Sequence, residues 1–155
     1  TGRQAFAAVN LAELAETVCA ELAPAVLASG RHLELEAGPA TVLGHRGWLE
    51  ILLRNLVGNA LRHTPEGSRI VVATGSLSGE GWLAVRDDGP GIPPGEREAL
   101  LGRFARGAEA GEEGCGLGLS IVARIVEVHG GRLELGPGLG GAGLGVEVRL
   151  PAGGR

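Results

Sequence analysis

Asp87 and Asp88 stand side by side in the stretch DDGPGIP, residues 87–93, and the other sixteen acidic residues of the chain are all glutamate. Aspartate holds its carboxylate close to the backbone. Gly89 and Gly91 remove the side chains that would keep a ligand at a distance, and Ile92 adds an apolar wall. A carboxylate placed there can accept hydrogen bonds from an amino group such as the exocyclic amine of adenine. A tight turn uses the same residue types, so this stretch alone leaves both readings open.

Two further groups bear on the choice. Asn55, Asn59 and Arg62 fall on one stripe of a helix, beside an apolar face of Leu49, Leu52, Leu53, Leu56, Val57 and Ala60. The stripe lies along the helix edge, where a helix lines a cleft. Asparagine is a mediocre helix former, and two of the chain's three share this stripe. Magnesium offers a reason: it takes oxygen ligands and binds beside substrate phosphates. A neutral amide ligates it without adding repulsion to a triphosphate. A polar helix edge accounts for the pair equally well. The third group is GCGLGLS, 114–120, in which Gly114, Gly116 and Gly118 leave backbone N–H groups unobstructed where a helix begins. Helix N-termini attract anions, although a Gly-rich loop without a ligand is the plainer reading.

The elements that must position these groups follow from the pattern. Residues 9–28 carry helical spacing with Asn10 as N-cap, and Pro24 is expected to kink or split that helix. RHLELEA (31–37) alternates as a strand, and ATVLG (40–44) reads as a second. The stretch 46–64 is the most secure helix, stopped by Pro65-Glu66-Gly67. SRIVVATGSL and GWLAVRD form a hairpin around Ser-Gly-Glu-Gly. PPGEREALLGRF fits a short helix, and GLGLSIVARIVEVH a long one closed by Gly130-Gly131. GRLELGP and GVEVRLP form a closing hairpin across the Gly-rich loop 136–145. Strands that come mainly as hairpins, mixed with helices, imply an α+β fold: a mixed sheet covered on one face by helices. Neither a repeat nor a linker interrupts the chain, so a single domain over 1–155 is expected.

Composition narrows the function classes. All fourteen basic residues are arginine, which closes the lysine-dependent P-loop route to ATP. A net charge of −4 without a basic cluster, and 3% aromatics without tyrosine, argue against nucleic acid. Cys19 and Cys115 form no CxxC or Cys/His cluster, which fits a reducing cytoplasm. An apolar run long enough to span a bilayer is absent from the sequence.

Taken in order, N-x-x-x-N-A, D-x-G-x-G and G-x-G-L-G-L resemble the ATP-binding domain of sensor histidine kinases, a fold family shared with gyrase-type and MutL-type ATPases. NLVGNALRHTP matches the N box, DDGPGIP the first glycine box, GCGLGLSIVARIVEVHGG the second, and LLGRFARG (100–107) the F box. The resemblance covers nearly the whole chain. It implies a two-layer α/β sandwich of the Bergerat type, with a mixed sheet, about three helices, and ATP held between helix and lid.

Position by position, it implies that Asn59 ligates Mg²⁺ and that Asn55 helps hold phosphates and metal. Arg62 supplies a basic group near the phosphates, and His63 stands where an aromatic stacks on adenine. Asp87 binds the adenine amine together with water, beside Gly89, Gly91 and Ile92. Arg106, or failing it Arg103, reaches the γ-phosphate from a lid over 102–116. Gly114, Gly116, Leu117, Gly118 and Leu119 line the phosphate end. Related ATPases carry glutamate four residues before the metal-binding asparagine, where it activates water. Asn55 occupies that position here, which points to phosphoryl transfer rather than hydrolysis, with Asn55 and Arg106 as the catalytic pair.

None of His32, His45, His63 and His129 has the context of a phosphoacceptor. The resemblance therefore implies an acceptor and dimerisation hairpin before Thr1, in a longer parent that serves a response regulator. The piece in hand is expected to be monomeric and cytoplasmic, within an inner-membrane sensor. A serine kinase of the anti-sigma type, and a degenerate nucleotide- or partner-binding module, are the alternatives. HGG-x-L and GLGLSIV favour the histidine kinase.

Overall fold

The structure, a computed structural model, describes residues 6–91 and 115–152, with the backbone alone at 115–119. In chain order the elements are β1 (Ala7–Asn10), α1 (Leu11–Ala28), β2 (His32–Ala37), β3 (Thr41–Gly44), α2 (Arg46–Arg62), β4 (Arg69–Leu77), β5 (Glu80–Asp87), α3 (Cys115–Val128), β6 (Arg132–Pro137) and β7 (Leu144–Pro151). Five strands form one sheet in the order β2-β4-β5-β7-β6, and β1 pairs with β3 in a separate two-stranded ribbon. Only β2 and β4 run parallel; the other pairs in the five-stranded sheet are antiparallel. The expected helix over 93–104 lies outside the described residues.

The local signals explain most boundaries. Asn10 caps α1 by accepting the Glu13 N–H at 3.1 Å. Gly30, at φ +83°, ends it in the left-handed conformation that glycine adopts without strain. Pro24 does not split α1, which runs unbroken through it; the packed Val18 and Val26 on either side hold the helix despite the missing backbone donor. Strand β1 went unread in the sequence, because four residues with one buried side chain carry too little alternation to register. The hairpin turn between β4 and β5 is tighter than expected, with only Ser78 and Gly79 left outside the strands, both at positive φ.

All three described helices contribute to one apolar core. Leu11, Leu14 and Val18 of α1, Leu49, Leu52, Leu53 and Leu56 of α2, and Val122 and Val126 of α3 meet the inner face of the sheet. That face presents Ile70, Val72, Leu83, Val85, Val146 and Val148. The other face carries a lattice of charge: Arg69 with Glu34, Arg86 with Glu147, and Arg132 with Glu80 and Glu134. These pairs are solvated and screened, so each contributes little to stability. Their main effect is to cover the strands with side chains that prefer water. A buried thiol, Cys19, sits within the core, and burial pushes it up to about 11, well away from reactivity.

His129, just after α3, links the end of that helix to the start of α2. Its Nε2 accepts the His45 N–H at 3.1 Å, and its Nδ1 donates to the Ile125 carbonyl at 2.8 Å. Phe6 stacks on the ring at 4.8 Å. His45 in turn caps α2, its Nδ1 accepting the Trp48 N–H. One imidazole nitrogen of His129 must therefore stay unprotonated. Burial holds its pKa below the usual histidine value, opposed by the Ile125 hydrogen bond and reinforced by His45. A depressed base stabilises the fold above its unfolded pKa of about 6.5. That contribution is lost as pH falls through the lower folded value. Thermal unfolding from pH 8 to pH 5 is expected to show a decline in Tm starting below pH 6.5. His129→Gln should start lower, by about 1–3 kcal/mol, and decline less.

Candidate functional site

Asp87 is the last residue of β5, the central strand of the sheet, and is 4% exposed. Its Oδ1 accepts the Gly89 N–H at 2.9 Å and the Leu144 N–H at 3.2 Å. Oδ2 carries no hydrogen bond among the described residues. The surroundings require glycine. A methyl on Gly138 or Gly143 would overlap the Asp87 carbonyl oxygen, and one on Gly91 would meet the Gly143 carbonyl oxygen at 2.8 Å. Thus the loop between β6 and β7 folds over the Asp87 turn. Gly138, Gly143 and Leu144 were not singled out as site residues in the sequence; the density of glycine across 136–145 was the available signal.

Asp88 behaves differently. It is exposed, and its Oδ1 accepts the Arg69 N–H at 2.8 Å, which pins the start of β4. The two aspartates therefore divide the work: Asp88 extends the pairing of β4 and β5 at its end, while Asp87 is buried and its Oδ2 accepts no hydrogen bond among the described residues. Burial raises the Asp87 pKa, the Gly89 and Leu144 N–H groups lower it, Asp88 raises it and the nearby His63 lowers it.

Helix α2 brings the amides to the same side of the fold. Asn59 is 4% exposed and packs among the core leucines rather than on the helix edge that the sequence suggested. Among the described residues its Oδ1 is buried without a hydrogen-bond partner. A buried acceptor left unpaired costs about 1–3 kcal/mol, and a bound cation or water would satisfy it. Asn55, one turn earlier and half-buried, donates its Nδ2 to the Ile51 carbonyl at 2.8 Å, and among the described residues its oxygen accepts no hydrogen bond. Arg62 is exposed in the last turn, and His63 is exposed at the C-cap.

Helix α3 is described from Cys115 onward, with Gly116 and Gly118 inside it. The backbone of Leu117 and Leu119 is likewise helical. Ile92, Arg103, Arg106 and Gly114 lie outside the described residues.

The titration of Asp87 fixes a sign. Its raised pKa means that it stabilises the fold fully only below the unfolded value of about 3.9 and loses that contribution as pH rises through the folded value. At pH 7 the charged form is a burden. Asp87→Asn keeps an acceptor for Gly89 and Leu144, so its Tm at pH 7 should equal or exceed that of the parent. The corresponding test on α2 is Asn59→Leu, which replaces an orphaned acceptor with an apolar group of similar size. Chemical denaturation should show a gain of about 1 kcal/mol or more.

The arrangement has counterparts. Residues 44–154 match the family model described as histidine kinase-, DNA gyrase B-, and HSP90-like ATPase. Over 147 residues, 94% of the chain, it is 46% identical to the sensor protein kinase PmrB of Pseudomonas aeruginosa, and it spans 31% of that protein. Among solved structures, a mycobacterial sensor histidine kinase, MprB, superposes with a TM-score of 0.75 at 30% identity, covering 94% of this chain and 97% of that one. Full-length ShkA in complex with AMPPNP gives a TM-score of 0.78 at 28% identity, over 94% of this chain and 31% of that one. The chain thus spans about a third of the length of that curated kinase. A mixed sheet with helices on one face, a buried aspartate at the end of its central strand and a family match over most of the chain make one conclusion: this chain belongs to the histidine kinase-, gyrase B- and HSP90-like ATPase family.

Proposed function

We propose that residues 1–155 form the catalytic domain of a sensor histidine kinase, which binds Mg-ATP and donates its γ-phosphate to a histidine elsewhere in a longer parent. The observation that carries this reading is the buried Asp87, whose Oδ2 accepts no hydrogen bond among the described residues, in a glycine-lined turn beside α2. The exocyclic amine of adenine would donate to that oxygen in place of water. Gly89 and Gly91 let a flat base approach, with Ile92 as an apolar wall and His63 as a stacking surface at the end of α2.

Asn59 fits the metal. Its Oδ1, unpaired among the described residues, is a buried neutral oxygen, the type of ligand that Mg²⁺ accepts beside phosphates. Asn55 lies one turn away and would share the phosphates and metal. When bound, Mg²⁺ neutralises phosphate charge in the transfer. The protein's own share is positioning and charge: Arg62 from α2, Arg106 or Arg103, and backbone N–H groups of the second glycine run, with Gly114, Gly116, Leu117, Gly118 and Leu119 along the phosphate end. An amide at Asn55 cannot take a proton from water, which favours transfer to a side chain over hydrolysis. Orientation and electrostatic stabilisation supply most of the rate in phosphoryl transfer. The acceptor domain, response regulator and cytoplasmic placement under a membrane sensor belong to the same proposal. Among the described residues, no helix is long and apolar enough to cross a membrane.

Calorimetric titration with ADP and AMPPNP, with and without Mg²⁺, tests the reading. Binding should tighten with Mg²⁺ for the triphosphate and weaken at least about a hundredfold in Asp87→Asn, the cost of a lost charge-assisted pair. Asp88→Asn should bind within about threefold of the parent, since its work is at Arg69. Equal losses from both, or no binding by a folded parent, would overturn the proposal.

A further inference from the structure

Arg31 lies at the end of the turn from α1, immediately before β2, far in sequence from the residues assigned above, yet its guanidinium is spent on the end of α2. Nε donates to the Thr64 carbonyl at 3.1 Å and to Thr64 Oγ1 at 3.2 Å, and Nη2 donates to the same carbonyl. Nη1 donates to the Ser29 carbonyl at 3.0 Å. Thr64 Oγ1 passes its own proton to the Ala60 carbonyl at 2.8 Å, so every polar atom in the chain of contacts is used. Two backbone bonds flank this clamp, Gly67 N–H to the Gly30 carbonyl and His32 N–H to the Ser68 carbonyl. An arginine at a helix C-terminus is favoured by the helix dipole and by the unpaired terminal carbonyls.

What the clamp holds is the contact of Thr64 with the glycine turn. Thr64 is 5% exposed. Its Cγ2 stands 2.9 Å from the position a Cβ on Gly89 would take, and Asp87 Oδ1 stands 3.2 Å from it. Gly89 is not among the residues at positive φ, so the backbone would accept alanine there and space is the constraint. The Gly89 N–H is also one of the two donors that orient Asp87. Moving Gly89 turns the carboxylate.

We propose that Thr64, pinned by Arg31, is a positioning residue: its methyl sets the seat of Gly89 and thereby the aim of Asp87 at the base of a bound nucleotide. The proposal rests on the nucleotide reading above. Neither residue touches the base; each acts through the next, from Arg31 to Thr64, from Thr64 to Gly89 and from Gly89 to Asp87. The same clamp holds the helix end that carries Arg62 and His63.

The test is ADP affinity by calorimetry across a mutant cycle, with Tm measured on each protein. Gly89→Ala should weaken ADP about tenfold, because its new methyl meets Cγ2 of Thr64. Thr64→Ser keeps the hydroxyl for Arg31 and Ala60 but deletes that methyl, so the double variant Gly89→Ala/Thr64→Ser should recover most of the lost affinity. Arg31→Gln unpins Thr64, and in its background the Gly89→Ala penalty should shrink at least about threefold. Should Gly89→Ala fail to fold, Arg31→Gln and Arg31→Lys serve alone: both should weaken ADP more than fivefold or so, since lysine cannot reproduce the fork. Penalties that simply add, or arginine variants that bind as the parent does, overturn the positioning role while leaving the nucleotide reading intact. A parent that binds no ADP overturns both.

Discussion

A carboxylate buried at the end of the central strand is the constraint around which this domain is arranged. Asp87 is stripped of water on one oxygen and held there by two backbone N–H groups, from Gly89 and from Leu144, fifty-seven residues later. To supply the second, the chain must return as β7 beside β5, in the register that pairs Arg86 with Gly145. To let it return so closely, Gly138 and Gly143 must lack side chains. The position of one acid thus dictates strand order, a glycine loop and the seat of the turn that follows it.

The sheet separates the demands of stability from those of the site. Its inner face and the three described helices share an aliphatic core that includes most of α2's inward residues. Its outer face is surrendered to arginine–glutamate pairs, in a chain that has no lysine. Arginine suits that use, because its planar fork can engage a carboxylate with two parallel bonds, as Arg69 does with Glu34 and Arg132 with Glu80. The polar groups that serve neither purpose are Asn59 and Asp87. Each carries a desolvation cost that packing elsewhere must offset. Buried polar groups of this kind concentrate where a protein meets a ligand: Asn59 in the second half of α2 and Asp87 at the end of β5.

Much of this was legible beforehand, for identifiable reasons. Helix α2 announced itself through a regular apolar stripe, and α1 through its Asn10 cap, because both signals are local and repeat along the chain. The order of the asparagine pair, the Asp-Gly turn and the second glycine run pointed to the family before any coordinates. Less legible were the places where a distant segment overrides a local rule. Pro24 was expected to break α1 and does not, since packing on either side outweighs one missing donor. Asn59 was assigned to an edge because asparagine is polar; the core accepts it all the same. His45 caps a helix although histidine is not a preferred cap, and β1 exists only because β3 offers it a partner.

The sequence by itself determined most of the described elements, the fold class and the family, since periodicity, caps and ordered motifs are properties of neighbouring residues. It also distinguished Asp87 from Asp88 by its place in the D-x-G-x-G motif. Only the tertiary structure decided what those two acids bond to, that Asn59 has an oxygen unpaired among the described residues, and that Arg31 clamps Thr64 against Gly89. Those facts depend on which segments meet across thirty to sixty residues of chain, and no local pattern encodes the distance between atoms that folding alone brings together.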